Sequence, residues 1–113
     1  MVNQFDNTPE KREEEESEPK FTEDYLRASI EYKDITEDKL SNITKWATEI
    51  KQNAKSELMC VEIRNKLENK YGDYWNCFFG KIHDYGYRYT DSYVRFKFKE
   101  MNDKRLIIYR CKF

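Results

Sequence analysis

The sequence predicts an α+β fold in which two helices pack on an antiparallel sheet. Three observations carry that expectation. Leu40, Ile43, Ala47, Ile50 and Ala54 recur at spacings of 3, 4, 3 and 4, the stripe of an amphipathic helix. Met59, Ile63, Leu67 and Tyr71 repeat every four residues and give a second helical face. From Trp75 onward the large residues alternate instead, which is the periodicity of strands. Helices followed by a run of strands segregate into two layers, with the helices on one face of the sheet.

Composition narrows the function classes. A chain of 113 residues has the length of one domain. Aromatic residues make up 16%, so large rings build the core and each buries much area. With 3 glycines and 2 prolines, a collagen-like or low-complexity reading fails. No run of about 18 apolar residues is available to span a membrane, and the acidic start does not read as a secretory signal. Cys60, Cys77 and Cys111 are odd in number and form no CxxC pair, which fits a reduced cytosolic protein. Charge is unevenly placed: residues 1–40 hold 13 acids and 6 bases, and residues 41–113 hold 9 acids and 15 bases. The plain reading is a solvated acidic tail ahead of a mixed surface. The sharper one is a tail that screens or steers access to a basic body.

Taken in order, residues 1–23 contain EKREEEESEPK and few apolar side chains, too little to offset the entropy of ordering. They are expected to be a disordered acidic tail, with the folded domain at 24–113. Leu26, Ala28, Ile30 and Tyr32 then alternate with polar residues and predict a first strand. Asp34 or Thr36 can accept from free backbone N–H groups, and Glu37 and Asp38 suit the positive end of a helix dipole. Helix one follows, with Trp46 beside its stripe. A polar break at 52–57 separates it from helix two, where Cys60 reads as a small buried residue and Gly72 as the helix stop.

In the strand after Gly72, Trp75, Cys77 and Phe79 face one way and Tyr74, Asn76 and Phe78 the other. Bulky residues on both faces imply a core on one side and another chain on the other. Tyr85, Tyr87 and Tyr89 around Gly86 form a second aromatic run. Val94, Phe96 and Phe98 alternate with Tyr93, Arg95 and Lys97, a polar turn follows at 101–104, and Leu106–Cys111 is the last strand. The order is strand, two helices, then three or four strands.

Catalysis finds little to work with. His83 is the only histidine, and its neighbour Asp84 would point away from it on a strand. The cysteines lack ligand spacing, and no Gly-rich phosphate loop or nucleophile elbow occurs. No enzyme activity, metal or cofactor is expected. Nucleic acid is a lesser alternative, because Lys81, Arg88, Arg95, Lys97 and Lys99 interleave with aromatic residues. Alternation on any strand with one buried face produces that interleaving, and no RNP-like segment is present. Neither a nucleic acid nor a membrane is expected as partner.

Residues 59–80, MCVEIRNKLENKYGDYWNCFFG, resemble the second helix and following strand of the small dimeric dynein light chains. Lys70-Tyr71 leading to Trp75-x-Cys77-x-x-Gly80 is the most specific part. Residues 30–37, Ala47-Thr48 and Leu106–Arg110 resemble the family's first strand, first helix and last strand, so the similarity spans Leu26 to Lys112.

That resemblance implies strand-helix-helix-strand-strand-strand-strand order and a dimer that exchanges one strand, here Tyr85–Thr90. It implies a non-catalytic subunit of a dynein motor in the cytoplasm and cytoskeleton, with an axonemal motor as a specialised setting. Its partners would be a second copy or another light chain, and an intermediate chain whose extended segment adds as a β-strand. A general dimerising hub for unrelated proteins is the alternative. By resemblance the peptide groove comprises Tyr85, Gly86, Tyr87, Arg88, Tyr89, Thr90, Tyr93, Arg95, Lys97 and Glu57. The dimer interface comprises Trp75, Asn76, Cys77, Tyr85, Tyr87 and Tyr89. Several positions depart from the pattern. Asn76 replaces a histidine, Glu57 a lysine, and Arg95 and Lys97 stand where the groove has aromatics. Two extra residues precede Tyr85, and the link after Thr90 is about three shorter. Arg95 and Lys97 favour an acidic partner segment.

Overall fold

The structure, a computed structural model, describes residues 20–53, 58–82, 86 and 88–111. Its elements are α1 (Glu23–Ala28), β1 (Ile30–Asp34), α2 (Glu37–Gln52), α3 (Met59–Tyr71), β2 (Trp75–Gly80), β3 (Ser92–Phe98) and β4 (Lys104–Arg110). The strands form one antiparallel sheet in the order β1-β3-β4-β2. This is the α+β architecture expected from the helical stripes and the alternating C-terminal half.

The start of the domain differs from the sequence expectation. The stretch read as a strand from Asp24 is split into α1 and β1. The Tyr25 N–H donates to Thr22 Oγ1 at 3.0 Å, and Glu23 and Asp24 occupy the positive end of the helix. Phe21 and Leu26 flank this cap at the staple positions, and both are buried in the core. Six residues are too few to display a 3.6 period, so the alternation of Leu26, Ala28 and Ile30 imitates a strand. Phe21 falls in the stretch assigned to the acidic tail, yet it is 1% exposed, its ring 5.0 Å from that of Phe98. Among the described residues the core thus already includes Phe21.

The two long helices follow their stripes. Leu40, Ile43, Ala47 and Ile50 of α2 and Met59, Ile63 and Leu67 of α3 are buried. Each of the leucine, isoleucine and methionine side chains among them contributes about 1.5–3 kcal/mol on burial. Thr36 is the N-cap residue of α2, but its hydroxyl donates to Asp38 Oδ1 instead of accepting from a backbone N–H. Gly72 ends α3 at φ 95°, its N–H donating to the Glu68 carbonyl. A Cβ there would meet the Arg110 guanidinium at 3.1 Å, so glycine serves both the conformation and the close approach. Ala54 and Glu57 lie outside the described residues.

Pleating sorts the strands into two faces. Trp75, Cys77 and Phe79 of β2, Val94, Phe96 and Phe98 of β3, and Leu106 and Ile108 of β4 meet the helices and form the core. Tyr93, Arg95 and Lys97 of β3, Arg105, Ile107 and Tyr109 of β4, and Asn76 and Phe78 of β2 project from the opposite, outer face. The expected strand at 85–90 lies partly outside the described residues, and Gly86, Arg88, Tyr89 and Thr90 are not in a strand.

Candidate functional site

The outer face is built around an irregularity in β1. Ile30 pairs with Phe96 and Tyr32 with Arg95, so Glu31 is an extra residue between two consecutive ladder positions. The bulge brings Glu31 and Tyr32 onto the same side of the sheet, although strict alternation would separate them. Arg95 Nε donates to Glu31 Oε1 at 2.8 Å, and Arg105 Nε donates to the same oxygen at 2.9 Å. Arg105 Nη2 adds a contact to Oε2 at 3.2 Å. One carboxylate thus ties together β1, β3 and β4. The Arg105 hydrogen bonds, helped by those from Arg95 and opposed by burial, hold Glu31 at a pKa of about 2.

Tyrosines surround this ion cluster. The Tyr93 ring lies 5.2 Å from Tyr89, 5.7 Å from Tyr32 and 6.2 Å from Tyr109. The Arg95 guanidinium sits 5.7 Å from the Tyr32 ring centre and 5.9 Å from that of Tyr93, within cation–π range. Tyr89 Oη donates to Asp34 Oδ2 at 2.7 Å, which raises the phenol's pKa, with Tyr32 acting in the same direction. Tyr93 is consequently 0% exposed although it lies on the face away from the helices. Tyr32 and Phe78 remain open, each 46% exposed.

The positions marked in the sequence fall into separate groups. Tyr93, Arg95 and Lys97 share the outer face of β3, and Tyr89 covers Tyr93. Thr90 donates its backbone N–H to the Arg110 carbonyl at 2.9 Å, continuing the β3–β4 ladder. Arg88 lies apart from Arg95, lining an open pocket with Glu68, Tyr74, Trp75, Asn76 and Tyr109. Gly86 is exposed. Glu57, Tyr85 and Tyr87, like the lone His83, lie outside the described residues.

Trp75 and Asn76 point oppositely. Trp75 is 2% exposed on the helix side, between Tyr71 and the Arg110 guanidinium, and its buried Nε1–H has no hydrogen-bond partner among the described residues. Asn76 is exposed on the other side. Cys77 also faces the helices, hydrogen-bonded to Cys60 on α3; that contact and burial push its thiol pKa well up, while Cys60 is lowered. β2 pairs only with β4 among the described residues, so its other edge offers unpaired backbone groups.

Sequence reasoning missed Glu31, Tyr32, Asp34 and Arg105 as members of this face. A bulge has no composition signal, and without the register nothing brings Glu31 to Arg95 and Arg105. Among the described residues, no group of three or more His, Cys, Asp or Glu side chains could hold a metal ion, and no helix is long and apolar enough to cross a membrane. Among the described residues the face presents exposed aromatic surface, charge and, at β2, a sheet edge with no strand beside it.

Comparison with known proteins agrees with this architecture. A search of curated protein sequences found no match. Among solved structures, the dynein light chain-like domain of the Fasciola hepatica calcium binding protein FhCaBP2 superposes with a TM-score of 0.57 at 14% identity. That alignment covers 74% of this chain and 90% of the other. A mercury derivative of the same domain gives a TM-score of 0.58 at 13% identity, covering 74% and 91%. Likeness at that identity establishes the fold alone. The family model for dynein light chain type 1 matches residues 27–111, nearly the whole packed body, and the chain therefore belongs to the dynein light chain family.

Proposed function

We propose that this chain is a non-catalytic light-chain subunit of a dynein motor, in the cytoskeleton and specifically in an axonemal complex. It pairs with a second copy or another light chain and holds an extended segment of an intermediate chain by β-strand addition. The observation that carries this reading is the open edge of β2 beside an outer face where Phe78 and Tyr32 stay exposed. Family membership supports the light-chain role itself. Residues 85–90 of one copy would join the β2 edge of the other, and the partner segment would add beyond them. Two segments held by one dimer gain effective concentration without any new contact.

The altered groove supports a dedicated partner over a general hub. Arg95 is committed to Glu31, and Tyr93 is covered, so among the three groove positions of β3 Lys97 is the cation that has no ion-pair partner among the described residues. Affinity purification of the full chain from ciliated cells tests this. One motor complex with its intermediate chain is the expected result, and a broad set of unrelated proteins would point to a hub. Lys97→Glu should weaken intermediate-chain binding several-fold. Arg95→Glu is a poor probe, because it would place a second carboxylate against Glu31 and disturb the sheet.

A further inference from the structure

We infer that the acidic segment preceding Phe21 docks on a lysine-rich end of its own domain, formed by Lys51 of α2, Lys99 after β3 and Lys104 of β4, with Lys97 at the rim. This goes beyond the motor reading and does not depend on it. The point of departure is fixed, because Phe21 is locked in the core against Phe98 and Phe79, with ring centres 5.0 and 6.5 Å away. Lysines stand around that point. Lys51 Nζ lies 5.4 Å from the Phe21 ring centre, and Lys104 Nζ lies 5.8 Å from that of Phe79. Lys97 and Lys99 flank Phe98 in sequence, and Lys97 opens into a pocket with Lys81 and Arg105.

Among the described residues the ion pairs use Arg27, Arg95, Arg105 and Arg110, and no lysine takes part in one. Three carboxylates share this end of the molecule, and one of them, Glu31, lines a pocket with Lys97 and Lys99 but is already held by Arg95 and Arg105. Glu100 accepts from the Tyr25 hydroxyl, and Asp103 sits in the β3–β4 turn. They leave the patch net positive. Glu13, Glu14, Glu15, Glu16 and Glu18 precede Phe21 by three to eight residues. At about 3.3–3.6 Å per residue they reach roughly 10–28 Å, enough for every lysine named. Single exposed ion pairs are weak, but several on a tether that keeps the local concentration near the millimolar range occupy a surface by their sum. The consequence is a basic surface screened by the chain itself, which another polyanion must displace the tail to reach.

The test uses the full chain and amide chemical shifts. Replacing Glu13, Glu14, Glu15, Glu16 and Glu18 with Gln should shift the signals of Lys51, Lys99 and Lys104, and about 0.5 M salt should shift wild type the same way. Reciprocally, Lys51→Gln, Lys99→Gln and Lys104→Gln together should shift the signals of residues 13–18. The glutamine-tailed variant should also bind a decaglutamate peptide about three- to tenfold more tightly than wild type. Lysine signals that ignore the tail substitutions, with equal decaglutamate affinity, would overturn the inference. So would shifts that fade on dilution, because the contact would then lie between copies.

Discussion

The two faces of the sheet are made from the same strands and stabilised by different physics. The helix-side face is aliphatic and aromatic, closed by α1, α2 and α3, and its side chains are buried without needing partners of specific charge. The outer face buries Tyr93 and Ile107 without a second layer of secondary structure among the described residues. It relies on a carboxylate shared by two arginines and on tyrosines leaning over one another. The first face supplies stability through area. The second is specific, charged and incompletely covered, which is what a surface awaiting a partner requires.

Substitutions on the two faces should separate these roles. Phe96→Ala, on the helix side, is expected to cost about 3–5 kcal/mol in denaturant unfolding, because the site cannot collapse around the lost ring. Phe78→Ala, one strand edge away on the outer face, should cost the single chain no more than about 0.5 kcal/mol. If the face pairs with another copy, the same change should weaken association at least tenfold, seen as a shift of the dimer midpoint.

Glu31→Gln comes next. It strands Arg95 and Arg105 without their carboxylate and should cost about 2 kcal/mol, less than a fully buried pair would, since all three side chains retain some solvent contact. The pH dependence follows from the same group. Its folded pKa is depressed to about 2 from an ordinary 4.5, so its stabilisation is complete above about pH 4.5. That stabilisation drains away as pH falls toward 2 and the folded carboxylate takes up its proton. Unfolding midpoints measured between pH 5 and pH 2 should fall steeply in wild type and less so in Glu31→Gln. Parallel curves would remove Glu31 as the link between the strands.

Smaller effects probe the edges of the comparison. Thr22→Ala should cost about 1 kcal/mol by removing the cap of α1. Tyr89→Phe deletes the hydrogen bond to Asp34, an exposed one, and should leave chain stability nearly unchanged. Because that bond holds Tyr89 on its own sheet, its loss should leave dimerisation unchanged or strengthen it. A dimer weakened by Tyr89→Phe would mean the hydroxyl acts across the interface instead.

The helix-side face was largely legible in the sequence, and the outer face was not. Leu40 through Ile50 and Met59 through Leu67 announce themselves by period, and Val94, Phe96 and Phe98 by alternation, because burial against one neighbour layer repeats at a fixed interval. α1 was misread, although Thr22 followed by Glu23 and Asp24 is a readable cap, because Leu26, Ala28 and Ile30 happened to alternate. Trp75 shows the opposite limit: it has one face of a strand in any reading, and only the packed structure sets it against Tyr71 and Arg110. The Glu31 cluster depends on a one-residue slip in pairing, a long-range fact to which no local pattern answers.

The most direct test of this account is sedimentation equilibrium of the full chain over a wide concentration range. The outer face and the open β2 edge predict a species of about twice the 13.9 kDa chain mass that persists on dilution into the low micromolar range. A mass of 13.9 kDa at every concentration would contradict pairing between identical copies and leave that face to a different chain.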